Sequence, residues 1–67
     1  MNIYVNNKLQ ELPGQANITA MLETLRITSQ KGIAIAINNN VVPGTEWETY
    51  LLKEDDKVTL IRATQGG

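Results

Sequence analysis

Ile33-Ala34-Ile35-Ala36-Ile37-Asn38-Asn39-Asn40-Val41-Val42-Pro43 is the stretch that commits this chain to a fold. Its first five residues are apolar on both faces and rich in β-branched side chains, the signature of a central strand. The isoleucines line one face and the alanines the other. Small alanines would let a helix approach closely, yet the period of two leaves open which face a helix covers. Asn38-Asn39-Asn40 reads as a tight turn, because asparagine tolerates the left-handed backbone conformation that hairpins demand. Turn chemistry accounts for these asparagines without a metal or a polar ligand. Val41-Val42 then returns as a short strand that Pro43-Gly44 stops.

Upstream, Met1, Ile3 and Val5 alternate with Asn2, Tyr4 and Asn6, the pattern of a strand with one buried face. Asn6-Asn7 supplies a turn, Lys8 to Leu12 a return strand, and Pro13-Gly14 its end. Asn17 is placed to cap a helix in which Ile18, Met21, Leu22 and Leu25 fall at i, i+3, i+4 and i+7. So small a domain needs every apolar face, and this stripe is read as core. Gly32 closes the segment after the helix.

Downstream, Thr45 to Tyr50 is expected to hold one helical turn, with Trp47 packing a long connection onto the core rather than serving as a binding hot spot. Glu54-Asp55-Asp56 reads as a solvated turn; a hard cation needs more oxygens than three adjacent side chains can aim inward. Val58-Thr59-Leu60-Ile61-Arg62 is the last strand, and Ala63-Thr64-Gln65-Gly66-Gly67 leaves the sheet. The chain between the first and last strands is long enough for the crossover that parallel neighbours require. The reading is α+β: a mixed sheet of four to five strands with one main helix across it, the arrangement of the ubiquitin-like β-grasp fold. Residues 1–62 form the domain and 63–67 a flexible tail.

Composition narrows the chemistry. At 67 residues the chain is one domain, and 42% hydrophobic against 19% charged residues is an ordinary globular balance. A net charge of −1 without a basic run is not the cationic surface that nucleic acid requires. Cysteine and histidine are both absent, which removes disulfides, thiolate nucleophiles, the commonest metal ligands and the neutral-pH acid-base residue. The N-terminus does not read as a signal peptide, and no apolar run approaches the roughly 20 residues that span a bilayer. A cytoplasmic protein with no membrane partner is expected.

The last two residues, Gly66-Gly67, carry the chemistry that remains. At an average glycine usage of about 7%, such a pair ends roughly one chain in 200 by chance. Glycines lack a Cβ and can lie extended in a channel too narrow for other residues.

With these pieces in order, the sequence resembles the thiamine-biosynthesis sulfur carrier family over nearly its whole length. The resemblance rests on Gly14-Gln15 before the helix, the cap Asn17 and Met21-Leu22-Glu23-Thr24-Leu25. It continues through Ala34-Ile35-Ala36-Ile37-Asn38, Val41-Val42-Pro43, Trp47 four residues on, and Glu54-Asp55-Asp56 with the closing strand and Gly66-Gly67. Asp55 stands where that family favours glycine, so the turn either avoids a positive φ or uses aspartate's tolerance for one. The resemblance implies a carrier and not an enzyme. A partner adenylating enzyme would join the Gly67 carboxylate to AMP from ATP. Sulfur, drawn from cysteine through a desulfurase or from another donor, would then displace AMP. The resulting thiocarboxylate would be delivered to a thiazole synthase. The chain itself would bind no cofactor. In this reading Gly67 carries the sulfur, Gly66 gives narrowness, and Ala63, Thr64 and Gln65 give reach, five extended residues spanning roughly 16 Å. A carrier for molybdopterin synthesis and a ubiquitin-like protein modifier share this fold and activation and stand as alternatives. Ile61 and Thr59, beside the tail, are the candidate docking residues: if Val58 and Leu60 point to the helix, Ile61 forms an exposed apolar patch with Ala63.

Overall fold

The computed structural model describes residues 1–27 and 31–62. In chain order the elements are β1 (Asn2–Val5), β2 (Lys8–Glu11), α1 (Ile18–Thr24), β3 (Ile33–Ile37), β4 (Asn40–Val42), a 3-10 turn at Gly44–Glu46, and β5 (Lys57–Arg62). They form one five-stranded sheet in the order β2-β1-β5-β3-β4. The last strand therefore lies in the middle of the sheet. It runs parallel to β1, with Tyr4 opposite Lys57 and Val5 opposite Val58, and antiparallel to β3, with Ile37 opposite Val58 and Ile33 opposite Arg62. The mixed sheet and the expected parallel first-to-last pairing are both present.

Both hairpins turn on asparagine pairs. Asn6 and Asn7 have φ of 50° and 69°, and Asn38 and Asn39 have 50° and 71°. Two consecutive positive φ values are the type I′ geometry whose twist matches that of the flanking strands. Asn40 belongs to β4 rather than to the turn, opposite Ile37. The first return strand ends at Glu11, one residue earlier than its sequence suggests, although the Leu12 N–H still donates to the Met1 carbonyl at 2.7 Å.

At the start of α1 the Asn17 side-chain oxygen accepts from the Ala20 N–H at 2.7 Å, satisfying one of the donors a helix start leaves free. At its end Arg26 takes φ 61°, the Arg26 N–H donates to Glu23 and the Ile27 N–H to Leu22. This is a Schellman closure with arginine in the place glycine usually holds. Ile18, Met21 and Leu22 are fully buried, and Leu25 and Ile27 are packed against the same cluster.

The helix settles the question left open by β3. Ile35 and Ile37 join Ile3, Val42 and Val58 in the core with the helical residues, while Ala34 is exposed. The isoleucines, not the alanines, face α1. Larger side chains on the helix side bury more apolar surface per residue, and in so short a chain that outweighs a closer helix approach.

Trp47 is 6% exposed and its indole N–H donates to the Val42 carbonyl at 2.8 Å, so it anchors the long connection as expected. The helical turn there is shorter than the sequence suggests: a 3-10 turn at Gly44–Glu46, prolonged by the Thr49 and Tyr50 N–H groups donating to the Glu46 carbonyl. The connection then lies along the start of α1, where Asn17 donates to the Glu48 carbonyl and the Leu52 N–H to that of Ala16.

The acidic turn departs furthest from its sequence reading. Asp55 does adopt a positive φ, 68°, so aspartate's tolerance replaces the glycine. Asp56 is not solvated: it is 7% exposed, and its two carboxylate oxygens accept from the Asn38 amide at 3.0 Å and from the Lys53 N–H at 2.8 Å. Glu54 accepts from the Asn2 N–H. A buried carboxylate is tolerated when donors are aimed at it, and here donors of the protein occupy it. No buried side-chain nitrogen or oxygen among the described residues is without a partner.

Candidate functional site

β5 is the last strand and ends at Arg62, immediately before residues 63–67. Along it Val58 is buried and Leu60 half-buried on the helix side, while Lys57, Thr59 and Ile61 are exposed on the other. The condition for an exposed Ile61 is thus met, and Ile61 is 57% exposed. Residues 63–67, which include Ala63, Thr64, Gln65, Gly66 and Gly67, lie outside the described residues. What the structure positions is their root, at Arg62.

Strand register gathers further residues on the face away from α1. Ile61 stands opposite Ala34, Thr59 opposite Ala36, and Ala36 opposite Val41. Across β1, Tyr4 stands opposite both Lys57 and Leu9. Tyr4, Leu9, Val41 and Ile61 are all large apolar or aromatic side chains left exposed on this one face. Ile61 and Thr59 are therefore part of a broader apolar surface whose other members the sequence reading did not single out. The signal was available: Tyr4 alternates out of phase with Ile3, and Leu9 sits opposite it across a two-residue turn.

A second residue missed is Asn6. Its backbone N–H donates to the Val58 carbonyl, its side-chain oxygen accepts from the Leu60 N–H at 2.9 Å, and its side-chain nitrogen donates to the Leu60 carbonyl at 3.2 Å. No local pattern announces a bond between residues 54 positions apart.

A concavity of about 270 Å³ opens between the two asparagine turns and is lined by Tyr4, Asn6, Asn7, Asn38, Asn39, Lys57, Val58 and Thr59. It lies at the start of β5, while the tail leaves from the other end, about 16 Å further along at the rise of an extended strand. Among the described residues no group of three or more histidine, cysteine, aspartate or glutamate side chains is arranged to hold a metal, and no helix is long and apolar enough to cross a membrane.

The last strand pairs parallel to the first at the centre of the sheet, and a helix covers one face. The ThiS family model matches residues 3–67. The chain belongs to the ThiS family. Over 67 residues, covering all of both chains, it is 28% identical to the sulfur carrier protein ThiS of Escherichia coli strain K12. The crystal structure of the thiamine biosynthesis protein ThiS from Geobacter metallireducens superposes with a TM-score of 0.84 at 25% identity, covering all of both chains. A solution structure of a thiamine biosynthesis protein from the same organism gives 0.79 at 25% identity, covering all of this chain and 88% of the other. The β-grasp reading is thereby secured, along with the family that the residues resembled.

Proposed function

We propose that this chain is the sulfur carrier for thiazole formation in thiamine biosynthesis, with the Gly67 carboxylate as the group that carries the sulfur. The observation that bears most weight is the family match running through residue 67, so that Gly66-Gly67 fall inside it. The chain is a protein substrate, not a catalyst. A carrier can lack both cysteine and histidine because the reactive groups of every step are supplied by its partners.

A free carboxylate is a poor acyl donor. An adenylating enzyme attaches AMP to the Gly67 oxygen, with pyrophosphate released from ATP. A sulfur nucleophile then attacks the acyl carbon and AMP departs: sulfide from a donor gives the thiocarboxylate directly, and a desulfurase persulfide gives an acyl disulfide that an external thiol cleaves to the thiocarboxylate. That anionic sulfur is passed to a thiazole synthase. Threading five residues into an enzyme channel costs backbone entropy, so affinity must come from elsewhere on the carrier. The open sheet face supplies it: Ile61 and Thr59 dock beside the channel mouth, with Tyr4, Leu9 and Val41 extending the contact. All of this takes place in the cytoplasm.

Intact-mass measurement after incubation with ATP, the adenylating enzyme and a sulfur donor tests the reading. The expected product is heavier by the exchange of one oxygen for one sulfur, and Gly67→Val abolishes both this product and ATP-pyrophosphate exchange without unfolding the domain. Undiminished exchange with Gly67→Val removes the hypothesis.

A further inference from the structure

β5 is paired on its two sides to different lengths. On one side β3 accompanies it from Val58 to Arg62. On the other, β1 accompanies it only through Tyr4 and Val5, because the chain then turns back at Asn6-Asn7 into β2. From Thr59 onward β5 has no strand on that side among the described residues. Backbone groups along a strand point alternately to its two neighbours, so the Leu60 N–H and carbonyl face the place that β1 has vacated. The Asn6 side chain fills that place with an acceptor at 2.9 Å from the Leu60 nitrogen and a donor at 3.2 Å from the Leu60 oxygen. Leu60 N–H can only donate and its carbonyl can only accept, which fixes the orientation of the Asn6 amide. One side chain stands in for a missing strand residue.

We propose that Asn6 is a positioning residue for the carrier terminus: by pairing with Leu60 it holds the end of β5, through Arg62, in the geometry from which the terminus is delivered to the adenylating site. The proposal deepens the carrier reading above and rests on it. Two demands meet at this position. The type I′ turn needs a residue that accepts φ 50°, which glycine, asparagine and aspartate all do. The pairing with Leu60 needs a donor and an acceptor on one planar group, which among those three only asparagine offers. The turn and the positioning can therefore be separated by substitution.

The variants are Asn6→Gly, which keeps the turn and removes the pairing, and Asn6→Asp, which keeps the turn and the acceptor for the Leu60 N–H. Amide hydrogen exchange of the whole protein is expected to show Leu60 exchanging about tenfold faster in Asn6→Gly, with the core amides of Ile35 and Ile37 unchanged. Asn6→Asp should restore most of the Leu60 protection. In ATP-pyrophosphate exchange with the adenylating enzyme, Asn6→Gly should lower kcat about three- to tenfold while leaving the KM for the carrier within twofold, since docking is intact and delivery is not. A KM rise with unchanged kcat, or accelerated exchange spread evenly over the core, would mean that Asn6 serves only stability and would overturn the proposal. So would wild-type exchange at Leu60 in Asn6→Gly. If the wild-type chain itself is never adenylated, the carrier reading falls and the positioning role with it, whereas a wild-type chain that is adenylated equally well as Asn6→Gly removes the positioning role alone.

Discussion

Lys57 enters β5 beside the buried carboxylate of Asp56, whereas Arg62 leaves it in solvent. At the entry, the Asn38 side chain accepts from the Lys57 N–H and donates to Asp56, Asp56 accepts from Lys53, and Val58 is sealed in the core. At the exit, Ile61 is 57% exposed, β3 holds one flank, and the Asn6 amide holds the other. Each hairpin contributes its first turn asparagine to β5, one to the beginning and one to the end. The difference is the carboxylate: at the entry Asp56 is buried and its two partly buried hydrogen bonds are expensive to leave unmade, while the bonds at the exit are exposed and worth little to global stability. A strand built this way holds its root independently of its end, which suits the proposed entry of its last residues into a partner enzyme.

Substitutions should separate the two ends. The largest effect belongs to the helix that seals the sheet beneath the root. Leu22 is fully buried, so Leu22→Ala should lower stability by about 2–5 kcal/mol through lost burial and a residual cavity. That is a large part of the about 3–10 kcal/mol expected for a chain of this size. Chemical denaturation measures it, and an unchanged midpoint would contradict the packing described. Next comes the entry itself. Asp56→Ala strands the Lys53 N–H and the Asn38 amide without their acceptor and should cost about 2 kcal/mol or more, read as a fall in the denaturation midpoint at constant slope. Smallest in stability is the exit: Ile61→Asp should change it by no more than about 0.5 kcal/mol, as expected for an exposed position. The same variant should raise the KM of the carrier in adenylation by about tenfold if Ile61 docks. A stability loss comparable to that of Asp56→Ala would erase the contrast between the ends, and an unaltered KM would move docking to another part of the open face.

Much of this was legible from residue order. The asparagine turns, the Asn17 cap, the helical stripe and the Trp47 anchor each follow from local chemistry that only a few residue types supply. The parallel central pair followed from the length of the crossover. What escaped was of two kinds. The orientation of β3 escaped because alternation is symmetric when both faces are apolar; only the partner helix breaks the tie. The roles of Asp56 and Asn6 escaped because their partners are distant in the chain: 18 residues separate Asp56 from Asn38, and 54 separate Asn6 from Leu60. An acidic trio looks the same in sequence whether its last carboxylate meets water or a buried amide. On the open face Ile61 stood out in the sequence, but Tyr4, Leu9 and Val41 joined it only through register, and Gly66-Gly67 lie outside the described residues.

The isoleucines of β3 point inward, and the consequence for the outer surface is one of relief. Ala34 and Ala36 are all that β3 offers on the open side, between Val41 of β4 and the Thr59 and Ile61 side chains of β5. Beyond them rise Tyr4 and Leu9. The sheet thus presents a furrow along β3, bounded on the β5 side by Thr59 and Ile61 and on the β4 side by Val41 beside Ala36. A flat partner would bridge that furrow and trap a gap; a convex one, with a ridge of side chains, would seat in it beside the end of β5.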